Sequence, residues 1–313
     1  MEYTTLGRTG LKVSRLGLGC GGHSRLGLAV GKSADDAEML VREALALGVN
    51  FIDTAEGYGT EEVVGRGIQG TLRDDVVIST KAGVHWKERR STAFEFRDRV
   101  DACLTRLRTD HVDVFHLHGV SADDYAYAVS ELLPALCAMK EEGKVRFIGI
   151  TETFGTDPGH IMLSQAVLDD FWDVVMVGFN LLNQSARARV LAATIKQNVG
   201  TLCMFAVRRA LSRPEALREL MANLVGRGLL DQQSFDPVDP LGFLISEGGA
   251  ESLPDAAYRF CRYEPGMDVI LSGTSTVDHL RQNAASLGRP PLSGQIVDKL
   301  TGLFSKVDCV SGN

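Results

Sequence analysis

The chain has 313 residues, 44% of them hydrophobic and 23% charged, with a formal net charge of -7. That usage excludes a disordered or collagen-like chain, and the lack of a basic surplus argues against nucleic acid as a partner. The six cysteines form no CxxC pair, the N-terminus shows no signal-peptide pattern, and no stretch is long enough to span a membrane, so a reduced, cytoplasmic protein is expected.

The chain opens as a hairpin, residues 3–6 and 11–13 about the turn Arg8-Thr9-Gly10. Eight short apolar runs follow, at residues 16–18, 51–53, 76–80, 112–116, 145–150, 174–177, 201–206 and 269–271, each suited to a strand buried on both faces. Amphipathic stretches separate most of them: residues 33–47, with Ser33 as N-cap and Gly48 beyond the end, then 93–107, 130–142, 164–169, 184–197 and 253–262. Strand and helix in alternation require parallel neighbours joined by right-handed crossovers, and eight such units predict an α/β fold, a (β/α)8 TIM barrel, with residues 1–313 as one domain. Between residues 208 and 249 Gly, Pro and Asp are dense, which predicts an elaborated loop after strand 7, placed to cover a substrate or cofactor.

In such a barrel, reactive groups stand at the carboxyl ends of strands. Asp53 ends the second apolar run, Tyr58 follows it in Glu56-Gly57-Tyr58-Gly59, Lys81 ends the third and His118 follows the fourth. Singly, each has a bland explanation as a cap, a solvated lysine or loop packing. Together a carboxylate, an ammonium, a phenol and an imidazole on consecutive strands make a proton-transfer set. The ammonium is expected to lower the pKa of the phenol, and Asp53 to hold the ammonium. Phe115-His116-Leu117-His118 puts two imidazoles on one strand face, a pattern that also serves metal-dependent barrel hydrolases. The later strand ends offer only Glu152 as a further ligand, which ranks that reading lower.

Ordered along the chain, Leu6-Gly7-Arg8-Thr9-Gly10, Leu16-Gly17-Leu18-Gly19, Phe51-Ile52-Asp53-Thr54-Ala55, Thr80-Lys81, Asp113-Val114-Phe115-His116-Leu117-His118 and Leu271-Ser272-Gly273-Thr274-Ser275 resemble the aldo-keto reductases over nearly the whole length. The resemblance implies an NAD(P)-dependent oxidoreductase moving hydride to or from an aldehyde, ketone or sugar. Asp53, Tyr58, Lys81 and His118 match that family's tetrad, with the tyrosine as proton donor and acceptor. Some relatives are cofactor-binding channel subunits with slow turnover, so a sensor stands as the alternative.

The same resemblance assigns cofactor contacts to Gly19, Cys20, Gly21 and Asp53 at the first two strand ends. Thr151 and Glu152 stand where many members carry Ser-Asn against the carboxamide, and Met176 where many carry glutamine. Phe205 matches an aromatic that stacks on the nicotinamide, followed by Ala206 and by Arg208, a candidate phosphate partner together with Arg209. At the eighth strand, Gly273 and His279 occupy the positions where NADPH-selective members place cations, while Thr274, Ser275 and Thr276 can still bind phosphate and Gln282 and Asn283 adjoin the adenine. The expectation is therefore NADP or NAD, with NAD accepted and preferred if no other cation serves the 2′-phosphate. No metal is assigned, and the sequence leaves the substrate, the direction of reaction and the oligomeric state open.

Overall fold

The computed structural model describes residues 1–313. Eight strands, β1 (Leu16–Gly19), β2 (Phe51–Asp53), β3 (Val77–Gly83), β4 (Val112–Val120), β5 (Val145–Glu152), β6 (Val174–Gly178), β7 (Gly200–Met204) and β8 (Val269–Ser272), pair in parallel and close into a barrel with β8 beside β1. All eight apolar runs of the sequence are strands. Successive residues point to opposite faces, so Phe51, Val77, Val114, Val174 and Leu202 pack inside the barrel while Ile52, Ile78, Phe115, Val175 and Cys203 pack outward under the helices.

The hairpin, Tyr3–Thr5 with Lys12–Ser14, closes the bottom. Its Leu6, Leu11 and Val13 join the interior cluster. Gly7, at φ +43, allows the close approach: a Cβ there would lie 2.2 Å from the Gly200 backbone nitrogen. The helices that follow β1 and β3, Ala34–Ala46 and Ala93–Leu107, begin in capping boxes, Ser33 with Asp36 and Thr92 with Glu95.

The structure departs from the sequence reading in its helices. The stretch expected to start at residue 130 starts at Ala122, capped by Ser121, and runs through a π turn at Ala128–Leu132 into Leu133–Glu141. Pro134 has no N–H to give the turn before it, and the wider turn absorbs the loss. The elaborated segment after β7 carries helices Arg209–Ser212, Pro214–Gly226 and Phe243–Ser246. Pro214 opens the second of these, and Leu217, Met221 and Leu224 bury its apolar stripe, a spacing hidden by the surrounding Gly, Pro and Asp. Helices Glu61–Gly67, Val277–Leu287 and Gly294–Leu303 and a small hairpin, His85–Trp86 with Arg89–Arg90, complete the mouth and outer ring. No helix is long and apolar enough to cross a membrane.

Candidate active site

β2, β3 and β4 are neighbours, with Asp53 in register with Ser79 and Lys81 with His116. This register brings Asp53 and Lys81 together inside the barrel. Lys81 Nζ donates to Asp53 Oδ1 at 2.6 Å, to Asp53 Oδ2 at 2.7 Å and to the Thr54 carbonyl at 2.7 Å, which uses all three of its hydrogens. Ser79 Oγ adds a bond to Asp53 Oδ1 at 2.8 Å. Burial works against the Lys81 charge, but Asp53 and the Tyr58 phenol outweigh it and hold Lys81 above the usual lysine range.

Tyr58 closes the short 3-10 turn Glu56–Tyr58 after β2. Its ring lies edge-on to His118, with OH to Nε2 at 3.4 Å, and Lys81 Nζ stands 5.2 Å from the ring centre. Gly21 makes room for that ring: a Cβ at Gly21 would lie 2.4 Å from the ring carbon Cε2. Burial raises the Tyr58 phenol above its ordinary value, and Lys81 pulls the opposite way without cancelling it. The net direction is the reverse of that expected from the sequence, because the ring sits in a drier place than the loop composition suggested. Burial, with Lys81 second, pushes His118 down to about 3, so its ring is neutral at pH 7. A phenol oxygen and a neutral imidazole nitrogen thus stand 3.4 Å apart, close enough for one oxygen atom to meet both.

His116, directly opposite Lys81, is fully buried, and neither ring nitrogen has a hydrogen-bond partner. Its ring fills the space left by Gly149, where a Cβ would lie 2.2 Å from Nδ1. No group of three or more His, Cys, Asp or Glu side chains is arranged to hold a metal.

The remaining sequence candidates form the rim. Thr151 is buried, its Oγ1 accepting from Gly119 N at 2.7 Å, which leaves the hydroxyl hydrogen free to donate. Glu152 stands at the end of β5, where the sequence places it, but its side chain turns inward. Its carboxylate is buried, with Oε1 accepting from Gly178 N at 2.7 Å and Oε2 lying 2.9 Å from His160 Nδ1. The side chains of Cys20 and Met176 likewise turn into packed interior. Phe205, at φ +68, carries the Arg208 guanidinium 3.9 Å from its ring centre, and Ala206 is buried beside it.

At β8, Thr276 caps helix Val277–Leu287 by accepting from His279 N, with Ser275 and Thr274 just before it. Gly273 packs against β1, where a Cβ would lie 3.2 Å from the Gly19 carbonyl oxygen. Asn283 Nδ2 donates one hydrogen to Ser272 Oγ at 2.8 Å, which leaves its oxygen and its second amide hydrogen for a base, while Gln282 and His279 are exposed. Arg281 reaches Glu43 of the first helix and faces away from this groove. The sequence reading missed one cation here. Lys32, from the loop after β1, donates to the Ser275 carbonyl at 2.6 Å. The two are 243 positions apart, so no local pattern announces the contact.

The family model described as "Aldo/keto reductase family" matches residues 15–304. The chain belongs to the aldo/keto reductase family. This family of oxidoreductases fits the closed eight-stranded barrel. The chain is 42% identical to L-galactose dehydrogenase of Arabidopsis thaliana over 157 residues, a match spanning 48% of each protein. It is 29% identical to NADH-specific methylglyoxal reductase of Escherichia coli over 215 residues, 61% of this chain and 63% of that protein. These matches thus span about half to two thirds of the relatives' lengths. Among solved structures, an aldo-keto reductase of Bacillus halodurans in its holo form superposes with a TM-score of 0.74 over 97% of this chain and 96% of that one, at 24% identity, which bears on the fold.

Proposed function

We propose that this aldo/keto reductase interconverts a small carbonyl compound and its alcohol with a nicotinamide dinucleotide, and that Tyr58 moves the proton. The observation that carries the reading is the Lys81 ammonium, fully bonded to Asp53 and Thr54 and 5.2 Å from the Tyr58 ring, with His118 Nε2 at 3.4 Å from the phenol oxygen. A carbonyl oxygen placed between the phenol and His118 accepts two hydrogen bonds. As negative charge builds on that oxygen, the phenol proton passes to it and the fixed Lys81 charge stabilises the phenolate left behind. In the reverse direction the same phenolate takes the alcohol proton. His118 is neutral, so it orients the oxygen without competing for the proton.

The rim suits a dinucleotide. Three hydroxyl-bearing residues stand at the N-terminus of the 11-residue helix Val277–Leu287, glycines 19 and 273 bring the two loops close, and half-buried Arg208 pairs with no carboxylate. Thr274, Ser275, Thr276, Lys32 and Arg208 would hold the phosphates, Phe205 and Thr151 the nicotinamide end and Asn283 the adenine. When bound, the cofactor supplies or accepts the hydride. The similarity to L-galactose dehydrogenase and methylglyoxal reductase supports sugars and small aldehydes as the first compounds to try.

A carbonyl and sugar screen with both cofactors, repeated with Tyr58→Phe, tests the reading. Turnover that disappears in the variant supports it. Tight cofactor binding without turnover on any compound favours a sensor instead.

A further inference from the structure

Glu152 and His160 form a buried acid–base pair that the proposed chemistry does not use. Both side chains are wholly enclosed. The pair is not explained by stability, because such a pair is often matched or bettered by well-packed apolar residues, and His160 Nε2 is additionally buried without a partner. Three contacts in series join it to the cofactor rim. Glu152 Oε1 accepts from Gly178 N at the end of β6. The His160 ring stacks on Phe154, with centroids 5.3 Å apart and planes at 18°. Phe154 in turn stacks on Phe205 at 6.1 Å and 21°. Gly178 admits this arrangement, since a Cβ there would lie 2.1 Å from the Phe154 ring.

Both ends of the stack are held in left-handed backbone, His160 at φ +59 and Phe205 at φ +68. For bulky residues this conformation is costly, and it persists only where the surroundings fix it. The Phe205 carbonyl is itself clamped, accepting from Asn180 Nδ2 at 3.2 Å.

The geometry points to Glu152 and His160 as a positioning pair that sets, through Phe154, the plane of the Phe205 ring, to which the proposed function gives the nicotinamide. Neither residue is among the cofactor contacts proposed above. This inference rests on the cofactor reading given above and adds to it the part of the protein that aligns the reactive ring.

The test separates the two ends of the cofactor by isothermal calorimetry. NADH and NADPH are compared with ADP-ribose and 2′-phospho-ADP-ribose, which keep the adenosine and phosphates but lack the nicotinamide. In His160→Leu and, independently, in Phe154→Leu, the Kd of the dinucleotide should rise about tenfold or more while that of the matching ADP-ribose changes by less than about threefold. Phe154→Leu leaves the buried pair intact and carries the test if His160→Leu does not fold. Glu152→Gln keeps an acceptor for Gly178 and a partner for His160, and should restore most of the NADH affinity lost in Glu152→Leu. Equal weakening of both ligands, or no weakening of either, overturns the positioning role. A wild-type protein that binds neither dinucleotide overturns the cofactor reading and this inference with it.

Discussion

Lys81 and Asp53 meet across neighbouring strands as a two-pronged pair, Nζ to the two carboxylate oxygens at 2.6 and 2.7 Å, with the lysine side chain entirely out of solvent. Because the third ammonium hydrogen goes to the Thr54 carbonyl, the charge cannot swing away from Tyr58. The cost of enclosing it is met in folding, so none of it falls on the reaction.

Removing the phenol oxygen isolates the proton transfer. Tyr58→Phe should lower kcat by about 10²-fold to 10⁴-fold, with cofactor affinity nearly unchanged. Steady-state kinetics with a cofactor titration check it, and near-normal turnover would refute the role given to Tyr58.

Breaking the ion pair acts on fold and function together. Lys81→Met leaves the Asp53 carboxylate buried without its partner, a loss of about 3–5 kcal/mol. Denaturant unfolding should show this, and activity should vanish. The double change Lys81→Met with Asp53→Leu should recover stability but not turnover.

Gly21→Ala tests how closely the tyrosine is placed. The added Cβ meets the ring at 2.4 Å, and Gly21 has no positive φ to complicate the substitution. Displacement of the phenol should cut kcat by about tenfold or more. The far-UV spectrum should stay unchanged, and unaltered kcat would show that the ring does not need this position.

Acid should weaken the fold through His118. Its folded value is about 3 against an ordinary 6.5, so the unfolded chain binds a proton that the folded protein refuses. The stability associated with this residue is complete above pH 6.5 and is lost as pH falls toward 3. His116, lowered for the same reason of burial and by Lys81, adds to the trend. Melting temperatures measured over that window should fall less steeply in His118→Asn.

In the proposed cofactor reading, Lys32 counts for cofactor choice as much as Gly273 and His279. kcat/KM for NADH and NADPH should differ by less than about a hundredfold, about 2.7 kcal/mol of differential binding. Lys32→Met should lower the NADPH value more than the NADH value. Equal losses with both would place Lys32 away from the 2′-phosphate.

Much of this molecule was legible because burial leaves a simple mark. Strands enclosed on both faces read as apolar runs, and residues just beyond them, such as Asp53, Lys81 and His118, fall at the mouth by the geometry of any parallel barrel. Helix Pro214–Gly226 was obscured by neighbouring turn residues, although Leu217, Met221 and Leu224 carried the period. Its place on β5 makes Glu152 a candidate contact, but His160 claims its carboxylate through a loop conformation no spacing encodes. The direction of the Tyr58 shift is hidden from the sequence for a related reason. A neighbouring charge can be inferred from strand order, whereas the dryness around a ring depends on every loop that folds over it.

The hairpin beneath the barrel decides how molecules travel. With Leu6, Leu11 and Val13 filling the lower end, Tyr58 and Lys81 are reached from the upper rim alone. In the proposed reaction the two reactants would share one doorway, and the deeper would enter first and leave last. With the dinucleotide as the deeper one, traffic would be ordered by architecture: an excess of the carbonyl compound or its alcohol would trap the spent cofactor beneath it, so exit through the doorway, more than hydride transfer, would set the pace at saturation.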